Sequence, residues 1–400
     1  MPQPLTGLLL SGGGARAAYQ AGVLEAIADL RRLCGQGRAD NPFPIITGTS
    51  AGAINGAALA CGADHFDRAV RRIAHAWRNV HVKEVYQADS LSVMKSGARW
   101  LTLLSLGWAL ARWRRTRPQS LLNNAPLERL LAHLVPLDRL PRLIQNGHLR
   151  ALAVTASSYS TGDHVTFFDA EDHMPGWTRS QRRAVRCRIQ SEHLLASAAI
   201  PFVFPAQAVP VEGRIEYFGD GSMRQSAPLA PAIHLGAERL LVVGAGRLVE
   251  PPDAEPPTAT YPTLAQVAGH ALSNIFLDAL LVDVERAQRV NHTLTLIPPE
   301  LRAQSSLRPV ELLVIAPSQR LDAVAARHVA ELPVMVRTLL GSLGVTSNER
   351  DVRGAALVSY LLFEQGYTRE LMELGRADTL ARRADVCAFF RWDDPGTPML

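Results

Sequence analysis

The sequence predicts an α/β protein: a three-layer α/β/α sandwich with a mostly parallel central sheet, extended by additional C-terminal helices. Three observations carry this expectation. Apolar runs of strand length alternate with longer stretches of helical periodicity. Most of these runs are apolar throughout, as expected of strands covered on both faces. Glycine-rich stretches stand where the first runs give way to helices. The 400 residues, 47% of them hydrophobic, are enough for one large domain with an appendage.

The elements follow in chain order. "LTGLLLS" (5–11) reads as a strand leading into a helix from about Ala15 to Leu33, and "FPIITG" (43–48) as a strand leading into a helix that begins near Ser50. Residues 65–148 read as helical or irregular, broken at Pro118, Pro126, Pro136 and Pro141. "LRALAVTASS" (149–158) and "HVTFFDA" (164–170) form a strand pair around a turn at Thr161–Asp163, and "IEYFGD" (215–220), "ERLLVVGA" (238–245) and "VELLVIAP" (310–317) are further strands. The Pro-rich "VEPPDAEPPTATYP" (249–262) is the expected linker between a sheet domain, 1–248, and a mainly helical region, 263–400. That region is expected to pack back on the first, because 310–317 still reads as a sheet strand. No internal repeat is visible.

Charge and cysteine usage narrow the function classes. The net charge of +5 is mildly basic, and no dense Lys/Arg tract points to nucleic acid. Arg179, Arg182, Arg183, Arg186 and Arg188 read as the solvated face of a helix. Cys34, Cys61, Cys187 and Cys387 are far apart without metal-ligand spacing, which fits reduced thiols in a cytoplasmic protein and no metal site. The N-terminus has no basic stretch before its short apolar run, so no signal peptide is expected, and no uninterrupted apolar stretch reaches membrane-spanning length. Residues 97–117, "GARWLTLLSLGWALARWRRTR", place Trp100, Leu104, Trp108 and Ala111 on one helical face, with Arg112, Arg114, Arg115 and Arg117 following. Two readings stand: an interfacial helix on an anionic membrane, or a buried or lid helix.

"GTSAG" (48–52) is a G-x-S-x-G motif between an apolar strand and a helical run. Gly48 and Gly52 permit a sharp elbow that exposes Ser50 at a helix N-terminus. The bare motif occurs by chance about once in ten chains of this length, so its partners matter. The triplet Gly12–Gly13–Gly14, closing the first strand, offers backbone N–H groups at a helix start, where an anion is favoured. A dinucleotide pyrophosphate would need an acidic residue ending the second strand, and "TGTSAG" has none. The alternative anion is the oxyanion formed when Ser50 attacks an ester, with Arg16 adding charge or fixing the loop.

Serine needs a base, and none of the 12 histidines lies in an evident motif. Asp220 with His270 would complete the chain order of an α/β-hydrolase triad, but only one strand precedes the elbow and His270 sits mid-helix. Asp220 alone is the better partner. It ends an apolar strand in "EYFGDGSMRQSAPL", and Gly221 lets the turn present its carboxylate at the same sheet edge as Ser50. A base there is expected to be partly buried, with a raised pKa.

In this order, "SGGGARAAYQAGVL", "GTSAG", "LLASAAIPFVFPA" and "FGDGS" resemble the patatin-like phospholipase family of bacterial type, over about residues 5–245. The resemblance implies lipid acyl hydrolysis by a Ser–Asp dyad. It implies Ser50 as nucleophile, Asp220 as base, the oxyanion region at Gly12, Gly13, Gly14 and Arg16, and no metal or cofactor. It makes 1–248 the catalytic domain and places the Ser197–Pro205 block along the site. Ser222 stands where the family usually has Gly or Ala. The expected substrate is a phospholipid or other acyl lipid, reached through peripheral membrane contact. The alternatives are a non-catalytic lipid-binding or regulatory protein on the same fold, and an acyltransferase with a non-water acceptor.

Overall fold

The computed structural model describes residues 4–36, 41–87, 120–247, 261–275, 279–302, 304–345 and 354–393. Residues 97–117 lie outside the described set, as does the Pro-rich stretch up to 260. The sheet holds β1 (Thr6–Leu10), β2 (Ile45–Thr49), β3 (Ala151–Ser158), β4 (His164–Ala170), β5 (Thr178–Arg179), β6 (Arg182–Arg186), β7 (Gln207–Val211), β8 (Arg214–Asp220), β9 (Arg239–Val243) and β10 (Glu311–Ile315). Its order is β10-β9-β1-β2-β3-β4-β6-β5, with β8 pairing both β3 and β7. From β10 to β3 every pairing is parallel, whereas β4 and β8 run antiparallel to β3.

The apolar runs are buried on both faces because alternate side chains enter two different cores. Leu8 and Leu10 of β1 face one core while Leu9 faces the other. Ile46 and Ile45 of β2 divide in the same way, as do Leu241 and Leu240 of β9. The larger core is closed by α1 (Ala18–Leu33), α2 (Ala51–Ala60), α3 (Phe66–Asn79) and C-terminal helices. The smaller is covered by helices Ala230–His234 and Ala279–Leu296. This is the three-layer arrangement the alternation predicts.

The region after residue 262 joins the same body. β10 extends the sheet beside β9. Arg239, at the start of β9, donates to the Phe389 carbonyl at 2.6 Å. Among the described residues no helix is long and apolar enough to cross a membrane.

One sequence expectation needs correction. The arginines from 179 to 188 do not line a helix: Arg182–Arg186 is strand β6, and Thr178–Arg179 is strand β5. Ion pairing stabilises this arrangement. Arg183 reaches Glu216 of β8 at 2.7 Å and Asp163 at 3.3 Å, so the strand needs no apolar run to hold its place.

Candidate active site

Ser50 stands between β2 and α2 with φ 56° and ψ −132°, a conformation rarely adopted by a residue with a side chain. The sharp turn brings α2 back against β1. A Cβ on Gly52 would collide with the carbonyl oxygens of Leu10 and Ser11, so only glycine fits there. Gly48, two residues before the serine, is equally confined by the returning backbone of Gly52 and Ala53. The Ser50 hydroxyl makes no helix-capping bond. Its backbone N–H instead donates to Ser197 Oγ at 2.8 Å, and Ser197 Oγ donates to the Thr155 carbonyl at 2.6 Å.

Asp220 ends β8 and is fully buried. Its amide donates to the Ala199 carbonyl at 2.9 Å. Its Oδ1 accepts the Ser222 N–H at 2.9 Å across Gly221, whereas Oδ2 has no hydrogen-bond partner among the described residues. Burial pushes its pKa up to about 6, and interaction with the Ser50 hydroxyl and with Ser222 restrains the rise. Raised in this way, a carboxylate becomes a better proton acceptor while remaining largely ionised at neutral pH.

Two histidines bear on the choice of base. His164 is buried, its pKa lowered to about 4 by desolvation, and its Nε2 meets the Gly221 carbonyl at 3.1 Å. A neutral imidazole placed there is a donor that supports the turn after Asp220. His270 lies exposed on helix Leu264–Ser273, beside Asn274.

The glycine triplet follows β1 and opens a 3₁₀ turn, Gly14–Ala17, that runs into α1. Gly14 has φ 54°, and a Cβ there would strike the Tyr360 carbonyl. Gly12 and Gly13 are buried beside it. Arg16 is buried too, but its guanidinium is turned into the C-terminal helices. Nε donates to Ser359 Oγ at 2.8 Å, and the group lies 4.0 Å from the centre of the Tyr360 ring. From that position it ties the loop to the C-terminal region. The sequence contains no local sign of this, because the partners lie 343 residues away.

Ser50 and Gly14 open onto one cleft, whose other walls include Ile54, Trp77, Leu130 and Phe204. The walls are mainly apolar, so an acyl chain suits this space and a charged ligand does not. The elements therefore bring Ser50, Asp220 and the glycine loop to one sheet edge. Ser197 and Thr155, which hold the elbow, were not among the expected site residues, although Ser197 falls within the block noted for its resemblance. Among the described residues no group of three His, Cys, Asp or Glu side chains could hold a metal ion.

Among solved structures, the chain is similar to VipD from Legionella pneumophila at 14% identity and TM-score 0.30, covering 93% of this chain and 67% of that one. Human GIVD cytosolic phospholipase A2 is 12% identical with TM-score 0.44, covering 97% of this chain and 62% of that one. The complex of ExoU with SpcU from Pseudomonas aeruginosa gives 18% identity and TM-score 0.27, covering 99% and 80%. The chain thus spans less than two thirds of the human enzyme, and likenesses this distant say nothing of activity. Comparison with curated proteins gives no match. The family model described as patatin-like phospholipase matches residues 8–233, more than half the chain and the whole of the elbow, glycine loop and Asp220 turn. The chain belongs to the patatin-like phospholipase family.

Proposed function

We propose that this protein is a serine-dependent lipid acyl hydrolase of phospholipase A or lysophospholipase type, working through a Ser50–Asp220 dyad. The observation that carries the reading is a strained, cleft-facing serine beside a buried carboxylate that feels its hydroxyl and whose Oδ2 has no hydrogen-bond partner among the described residues. Ser50 Oγ attacks the acyl carbonyl carbon and its proton passes to Asp220. The carbonyl electrons move to the oxygen, which the backbone N–H groups of Gly12, Gly13 and Gly14 stabilise, helped by the positive end of α2. When the tetrahedral intermediate collapses, the bond to the alcohol or lysolipid breaks, and that oxygen takes the proton from Asp220. Water, deprotonated by the same carboxylate, then attacks the acyl-enzyme; the bond to Ser50 Oγ breaks, Asp220 returns the proton to that oxygen, and the fatty acid is released. Arg16, bound to Ser359 and Tyr360, acts by fixing the loop.

Reaction with a fluorophosphonate, read by mass spectrometry, tests this. Wild-type protein should be labelled at Ser50, whereas Ser50→Ala should neither react nor hydrolyse phospholipid or short-chain esters. Asp220→Asn should fall nearly as far as Ser50→Ala, and the double variant little further, because the two residues act as one unit. A folded wild type that takes no label would favour the lipid-binding reading. Transfer of the acyl group to added alcohol in preference to water would favour the acyltransferase.

A further inference from the structure

A buried chain of hydrogen bonds joins the wall of the apolar cleft to the glycine loop, and its direction is fixed by chemistry. Trp77 Nε1 donates to Asn55 Oδ1 at 2.8 Å. The indole has only a donor, so the amide oxygen of Asn55 must face it. Asn55 Nδ2 then donates twice, to the Ala17 carbonyl at 3.1 Å and to Gln20 Oε1 at 3.0 Å. That leaves Gln20 Nε2 to donate to the Ser11 carbonyl at 2.7 Å. Ser11 immediately precedes Gly12, and Ala17 closes the 3₁₀ turn that carries Arg16. The loop is therefore suspended between two carbonyls held by one relay. Asn55 and Gln20 are almost wholly buried, whereas Trp77 is half-buried and lines the cleft beside Ser50.

Local structure offers no reason for this polar chain. Asn55 is the one polar side chain in α2, "AGAINGAALA", where an apolar residue would pack without needing partners. Its own bonds reach the 3₁₀ turn, α1 and α3, the end of β1 is reached only through Gln20, and every polar atom of its amide is used.

We infer that Asn55 is a positioning residue for the oxyanion loop, and that Trp77 makes the loop's placement respond to the acyl chain in the cleft. The inference rests on the acyl-hydrolase reading of Ser50. A long chain filling the cleft presses on the indole, which also stacks against Phe363 at 6.1 Å between ring centres. Holding the indole holds Asn55, and Asn55 holds both ends of the loop. A short acyl group leaves the indole untouched. Chain length is thereby expressed in turnover as well as in binding.

Two measurements test this, one of them independent of catalysis. In the first, Trp77→Phe keeps an aromatic wall but loses the donor. Its kcat on a dodecanoate ester should drop about fivefold, the rate equivalent of one neutral hydrogen bond, with KM little changed. Its kcat on a butyrate ester should fall by a clearly smaller factor, so that the ratio of the two rates changes. Asn55→Ala should lower kcat on both esters, and Asn55→Ser, which keeps a short polar group, should recover part of the loss. A merely structural role would instead lower both rates in proportion to the folded fraction, read from thermal melting.

In the second, hydrogen exchange of the peptide spanning residues 11–18 is followed in Ser50→Ala protein. Dodecanoic acid should slow exchange there and butyric acid should not, and adding Trp77→Phe should abolish the protection. Equal protection with and without the indole N–H, or a uniform drop in kcat across chain lengths, would overturn the inference. Failure of the wild type to label with fluorophosphonate would count against the hydrolase reading alone, because the exchange measurement still decides the relay.

Discussion

The Ser50 N–H and the Ser197 hydroxyl lie 2.8 Å apart, and that bond holds the candidate nucleophile in a backbone conformation it would not choose alone. Ser197 is fully buried, and its hydroxyl donates a hydrogen bond to the Thr155 carbonyl on β3. The Ser197 hydroxyl thus bridges the elbow to the adjacent strand, beside the direct contact of the Thr49 and Thr155 hydroxyls at 2.6 Å. Backbone strain of this kind costs about 1–3 kcal/mol and persists only where surroundings enforce it.

Ser197→Ala should therefore be more than a packing change. It leaves the Ser50 N–H and the Thr155 carbonyl without their partner, at a cost of about 1–3 kcal/mol in stability. Turnover should fall by about tenfold or more as Ser50 relaxes, since each 1.4 kcal/mol of lost transition-state stabilisation is a factor of ten. Denaturant melts and esterase rates on the same preparation check both. A stable variant with full turnover would show that the elbow holds without Ser197.

Asp220 links activity to pH in one direction and stability in the other. Burial raises it to about 6 in the folded protein, above the ordinary carboxyl value near 4. The folded state therefore holds the extra proton between those two pH values. Its stabilising contribution is complete below about pH 4 and is lost as pH rises through about 6. Activity needs the ionised form, so kcat/KM should climb through the same region. Asp220→Asn, neutral at every pH, should lose about 10²–10⁴-fold in turnover. It should also melt higher than wild type at pH 8 and show no such advantage at pH 4. The gain is bounded by about 1.4 kcal/mol per unit of pKa shift. Identical melting of the two proteins at pH 8 would remove the burial argument.

What could be read from the sequence divides along physical lines. Strands such as β1, β2 and β9 were legible because both their faces are buried, leaving unbroken apolar runs. β6 was not, because Arg183 is held by charge against Glu216 and Asp163, and charge pairing leaves no periodic mark. β7 was missed too; it is five residues with Pro210 inside it and pairs only with β8. At the candidate site, Ser50, Gly48 and Gly52 are contiguous and carry their own geometry. Asp220 could be placed because it ends a strand. Arg16 was placed by its neighbours in sequence, yet its side chain answers to Ser359 and Tyr360. Asn55 could have been noticed as a polar residue in an otherwise apolar helix, but its partners are visible only in the fold.

Gly13 shows how a loop's role and its packing can be separated. Its φ of 168° is extended backbone that any residue adopts, so conformational freedom is not the reason for glycine there. A Cβ would instead stand 2.6 Å from Ala245 Cβ, just beyond β9. Gly13→Ala should destabilise by about 1–3 kcal/mol through overpacking, and Ala245→Gly in the same chain should restore most of that loss. If turnover stays low in the restored double variant, the loop's backbone is contributing to the reaction itself. If rate returns with stability, Gly13 serves packing alone.

The last prediction lies away from the cleft, where helix Leu321–His328 meets helix Gln365–Ala381. His328 is held on both sides, by Glu331 at Nδ1 and by Glu370 at Nε2, each at 2.6 Å. Burial alone would lower its pKa, but the two carboxylate hydrogen bonds outweigh that effect and the net shift is upward. The hydrogen bond to His328 likewise helps to hold Glu370 below its ordinary value. A raised folded-state value means the contribution is complete below the ordinary histidine range near 6.5 and fades as pH rises through the folded value. Replacing His328 with Gln should therefore lower the melting temperature at pH 6, and the deficit should shrink as pH rises toward 9. High salt should shrink the pH 6 difference only in part, because the imidazole is mostly shielded from solvent. Melts of both proteins across that range check this. A His328→Gln deficit that grew toward pH 9 would mean that packing, not charge, holds these helices together.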